Sequence, residues 1–72
     1  MIDVDEAIQI ATDFLARRRS ELGDQRELPR VQEVTTGRVQ TADGGRLCHI
    51  VSFGWPIRIG VDQETGSADM LR

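Results

Sequence analysis

An α+β fold is what this sequence predicts: one N-terminal amphipathic helix packed on one face of a four-stranded antiparallel β-meander. Three observations predict it. Apolar residues recur at spacings of three and four from Val4 to Leu22. Residues 56–66, PIRIGVDQETG, alternate between apolar and polar and then break into turn residues. Ala42-Asp43-Gly44-Gly45 divides two segments rich in β-branched residues.

The helix is predicted over residues 4–22. Asp3 and Glu6 form an acidic variant of the capping box, in which Asp3 accepts from early backbone N–H groups and Glu6 reaches back. Val4, Ala7, Ile8, Ala11, Phe14 and Leu15 make the apolar stripe, widened by Ile10 and extended by Leu22. Asp13 and Arg17 are spaced for an i,i+4 pair, and Arg17, Arg18 and Arg19 sit near the C-terminal end, where the helix dipole favours cations. Gly23 ends the helix as a residue able to take positive φ.

A polar loop closing at Pro29 leads to a strand over residues 31–40, whose alternation changes phase around Gly37 and predicts a bulge or bend there. The glycine-containing hairpin loop follows, then a strand over 46–53. Gly54-Trp55-Pro56 turns the chain into a third strand over 56–62, with Ile57, Ile59 and Val61 inward and Arg58, Gly60 and Asp62 outward. Asp62 to Thr65 fits a type I turn followed by Gly66 at positive φ, which returns the chain into a last strand over 67–71. Residues 1–72 form a single small domain.

Composition narrows the function. About twenty large apolar side chains suffice for one helix on one sheet, near the lower size limit for a core without disulfides or metal. A deep substrate cavity in so small a core would cost stability, so no enzyme is expected. The charged residues are twelve acids and nine arginines with no lysine, a net charge of −3. No one-sided basic stripe is present, so nucleic acid is not an expected partner. No apolar run approaches the roughly 20 residues of a membrane span. The N-terminus is acidic and lacks the apolar core of a signal peptide, which predicts a cytoplasmic location without a membrane partner.

Candidate chemistry is sparse. Cys48 is the only cysteine and His49 the only histidine, so no intrachain disulfide can form and no second thiol or imidazole is present to complete a zinc site. Consecutive strand residues point to opposite faces, which keeps Cys48 and His49 from acting as a nucleophile pair and reads His49 as half-exposed. Asp3, Asp5 and Glu6 lack calcium-loop spacing, and neither Gly44-Gly45 nor Gly54 opens a phosphate-binding loop. No cofactor and no metal are expected. Trp55, the sole tryptophan, sits in a tight connection, where such residues serve either as core lids or as interface anchors. Trp55, Arg58 and His49 are the candidate protein-binding residues.

Taken together, DVDEAIQIATDFLARR, a strand ending in VSF, and PIRIGVDQETGSA resemble two groups of small bacterial domains. One is the PepSY type, with an acidic helix start and a V-D-x-x-T-G hairpin. The other is the YrhB-like immunity proteins of toxin systems, matched at Glu6-Ala7, Phe14-Leu15, Gly54-Trp55 and Pro56 through Gly66. Immunity proteins of that kind carry a longer segment after the GW element, whereas Pro56 follows Trp55 directly here. Both resemblances imply a non-catalytic domain that contacts another protein, a toxin or a peptidase. A homodimer through sheet edges or the uncovered face is the third expectation for so small a core.

Overall fold

The computed structural model describes residues 1–24, 27–41, 44–54 and 57–71. One helix, α1 (Val4–Glu21), is followed by four strands, β1 (Glu33–Thr41), β2 (Gly44–Ser52), β3 (Arg58–Asp62) and β4 (Ala68–Leu71). The strands pair in sequence order as one antiparallel sheet, the expected α+β meander with the helix on one side.

The helix starts where its cap places it. The Asp3 carboxylate accepts from the Glu6 N–H at 2.8 Å, so one half of the anticipated box is made. Glu6 does not reciprocate; ordering an exposed carboxylate adds little in water. At the other end Gly23 takes φ +72°, and the Asp24 N–H closes on the Arg19 carbonyl at 2.8 Å. Asp13 accepts from the Gln9 amide rather than pairing with Arg17.

Ala7, Ala11 and Leu15 form the buried line of α1. Two alanines in that line let the helix approach the sheet closely, while Ile10 and Phe14 flank it. The stripe is shorter than its sequence spacing predicts. Val4 is 45% exposed and Leu22, the C-cap residue, is 79% exposed, so the buried line runs only from Ala7 to Leu15.

Strand register divides the sheet into two faces. On the helix side, Val34, Val51, Ile59 and Met70 are lined up across the four strands, with Val61 and Ala68 beside them. These residues are the core.

The bulge expected at Gly37 is not there: β1 and β2 pair without interruption from Glu33↔Ser52 to Thr41↔Gly44. The phase change has another origin. Val34 faces the helix, while Val39, five positions on, faces the opposite side, and Gly37 lies beneath Ile50, whose Cδ1 would stand 3.3 Å from an added Cβ. The apolar pattern thus marks two faces of one unbroken strand.

The β3–β4 hairpin forms as the turn residues predict. Asp62 Oδ1 accepts from the N–H groups of Glu64 at 2.8 Å and Thr65 at 3.2 Å. The Asp62 carbonyl accepts from Gly66, one residue later than in a simple type I turn, with Gly66 at φ +77°.

Candidate functional site

The side of the sheet away from α1 carries no other element among the described residues. Its floor is built by alternation: Val39 from β1, Cys48 and Ile50 from β2, Gly60 from β3 and Leu71 from β4. Gly60 is buried with no side chain of its own because Leu71 leans over it, its Cδ2 3.2 Å from where a Cβ would be. These side chains and their charged neighbours enclose a shallow concavity of about 730 Å³.

Charge is arranged around that floor. At one end Arg46 Nε donates to Asp62 Oδ2 at 2.8 Å, a pair fixed by the same hairpin turn that holds the other Asp62 oxygen. At the other end Arg58 is exposed, and among the described residues it has no ion pair. Asp69 stands diagonally across the β3–β4 ladder from it, with its carboxylate accepting from the Met70 N–H. The guanidinium of Arg58 is therefore available to an external carboxylate or carbonyl.

Asp62 is the electrostatic anchor of the surface. The Glu64 and Thr65 N–H groups hold its carboxyl below the usual carboxylate range against a smaller opposing effect of burial, and the Arg46 guanidinium adds to the lowering. A lowered folded-state value stabilises the fold above the ordinary Asp range, near about pH 4, and that contribution is lost as pH falls through the lowered value. Asp62→Asn is therefore expected to lower the neutral-pH melting temperature and flatten the acid limb of the stability curve. Thermal melts across that range check it, and a variant with an unchanged acid limb contradicts it.

Cys48 belongs to the floor but not to its reactivity. It is 5% exposed, and burial pushes its thiol above the ordinary value, aided by the Asp62 carboxylate and opposed by the Arg46 guanidinium. The nucleophilic thiolate is thus suppressed. Iodoacetamide at neutral pH is expected to modify folded Cys48 at least about a hundredfold more slowly than the unfolded chain. Equal rates in the two states would show an accessible thiol.

The three candidate contact residues do not form one cluster. Arg58 lies on the open face, and Trp55 lies outside the described residues. His49 is on the helix side, opposite Val61, and is 7% exposed rather than half-exposed. The reason is the N-terminal segment, which folds over it. Ile2 donates its N–H to the Gln63 carbonyl at 2.8 Å, and the Ile2 carbonyl lies 2.8 Å from His49 Nε2, which donates to it. His49 Nδ1 is buried with no partner. His49 and Cys48 occupy opposite faces, as strand alternation requires.

Val39, Ile50, Asp69 and Leu71 were not among the sequence candidates. For Ile50 the signal was in the strand at residues 47–51, LCHIV, which is apolar in both phases and so marks a strand with work for both faces; Val39, Asp69 and Leu71 join it only through the strand pairing. No group of three or more His, Cys, Asp or Glu residues placed to hold a metal occurs among the described residues. No helix there is long and apolar enough to cross a membrane. No protein-family model matches the chain, and neither the curated proteins nor the solved structures contain a match to it.

Proposed function

We propose that this chain is a non-catalytic protein-binding module that engages its partner across the open face of the sheet. The observation that carries this reading is the unpaired Arg58 guanidinium beside the half-buried apolar shelf of Val39, Ile50 and Leu71. Such a surface suits a partner segment that presents an apolar side chain to the shelf and a carboxylate to Arg58. The suppressed thiol of Cys48 and the interior position of His49 support the non-catalytic part of the reading, since neither presents a reactive group to the concavity.

An immunity-like inhibitor of a toxin is the specific form of this proposal favoured by the likeness at Phe14-Leu15, Gly54-Trp55 and Pro56 through Gly66. Regulation of a peptidase is the form favoured by the V-D-x-x-T-G hairpin. Both act by occlusion and use the same surface.

The test is quantitative capture from the native lysate with three baits: the wild type, Arg58→Glu and Leu71→Asp, each first shown to be folded by circular dichroism. A partner recovered in near-stoichiometric amount by the wild type and at least about tenfold less by both variants supports the reading, in line with the loss of an interface anchor. Equal recovery by all three places the contact elsewhere and overturns it.

A further inference from the structure

The two edges of the sheet differ sharply. β4 is four residues long, short enough to offer little to a passing strand. β1 is nine residues long, contains no proline, and pairs with β2 along its whole length without a bulge. Of the usual devices that blunt an edge it carries charge alone, Glu33 at its start and Arg38 near its middle.

Which β1 groups face outward follows from the ladder. Gln63 donates its N–H to the Leu47 carbonyl, so in the β2–β3 register Leu47, His49 and Val51 turn their backbone groups toward β3. Alternation then turns Cys48, Ile50 and Ser52 toward β1 and pairs them with Gly37, Thr35 and Glu33. The N–H and C=O groups of Val34, Thr36, Arg38 and Gln40 are left pointing away from the sheet.

We propose that this edge pairs with the same edge of a second copy of the chain, antiparallel about a two-fold axis through Gly37. In that register Val34 faces Gln40 of the copy and Thr36 faces Arg38, and each of these pairs exchanges both N–H···O bonds. Every outward group of the strand is then used. A register shifted toward either end leaves some of them unpaired.

The residues on the axis fit this arrangement. The central Gly37 pair is a non-hydrogen-bonded one, with Cα atoms about 4.5 Å apart, and glycine places no side chain in that narrow gap. Ile50 leans over Gly37 in each protomer, so the two Ile50 side chains are brought toward one another on the open face. Thr35 stands opposite Val39 of the copy, a β-branched pair that packs well across strands. A heterologous strand would have to reproduce this match, whereas a second copy has it by symmetry. Charge opposes association: the two Arg38 side chains lie on a diagonal, about 7–8 Å apart, and each copy carries a net charge of −3, so added salt strengthens the dimer.

This inference does not rest on the partner reading and fails separately from it, although Val39 and Ile50 border both surfaces. The test is amide hydrogen exchange of the wild type at low and high concentration, alongside sedimentation equilibrium up to about 500 µM. The expected result is a dimer in which the Val34, Thr36, Arg38 and Gln40 amides exchange at least about tenfold more slowly than in the dilute protein. The outward amides of β4, Ala68 and Met70, remain unchanged. Thr36→Pro removes one outward N–H while leaving the β2 ladder intact, and it is expected to stay monomeric with an unaltered circular dichroism spectrum. If that variant fails to fold, the wild-type exchange pattern decides alone. A monomer throughout the range overturns the proposal, and so does a dimer whose four β1 amides are insensitive to concentration.

Discussion

Ile59→Ala is expected to lower the unfolding free energy by about 3 kcal/mol, within the range of about 2–5 kcal/mol for large-to-alanine changes in a packed core. Ile59 is fully buried at the centre of the helix-facing side, between Val51 on β2 and Met70 on β4. Close packing leaves no neighbour free to fill the space, so the loss combines transfer free energy with a residual cavity. A chain of 72 residues has a total stability of about 4–11 kcal/mol on per-residue grounds, so one substitution removes a large share. Urea titration reads this as a fall in midpoint with unchanged slope. Ile50→Ala is the internal control. Its side chain is half-buried on the open face, and its loss is expected to cost about 1 kcal/mol. Equal costs at the two positions would mean that the faces do not divide the labour as described.

Gly66→Ala is the second large effect, expected at about 2 kcal/mol from two separable causes. Gly66 holds φ +77°, a region that costs an L-residue about 1–2 kcal/mol. An added Cβ would also stand 2.7 Å from Ile2 Cδ1, so the Ile2 side chain must move. Ile2 is no idle neighbour, since its two backbone bonds to Gln63 and His49 hold the N-terminal segment over the hairpin end of the sheet. A double-mutant cycle with Ile2→Ala separates the causes. The steric part disappears in the double variant and the φ part remains; a Gly66→Ala protein as stable as the wild type would show that neither is present.

Much of this architecture was legible in local chemistry. Asp3 and Gly23 mark the helix ends, and Asp62 with Gly66 marks the last hairpin, because caps and turns are set by residues adjacent in the chain. What depends on distant partners was not legible. His49 reads as half-exposed until Ile2 folds across it. Gly37 reads as a bulge until Ile50 is seen to occupy the space above it. Arg58 was recognisable as a polar residue on an exposed strand face, but the shelf beside it is assembled from β1, β2 and β4, separated by more than thirty positions between Val39 and Leu71. Periodicity reports which residues share a face and is silent on which face receives a cover.

The central claim is that the helix-covered face maintains the fold and the open face meets the partner. Methyl resonances report on both at once, since valine, isoleucine and leucine occur on each side. On titration of the captured partner into the labelled protein, the methyl signals of Val39, Ile50 and Leu71 are predicted to shift or broaden while those of Val51, Ile59 and Val61 stay in place. The reverse pattern, or perturbation confined to the solvent side of α1 around Asp13 and Arg17, would contradict the account.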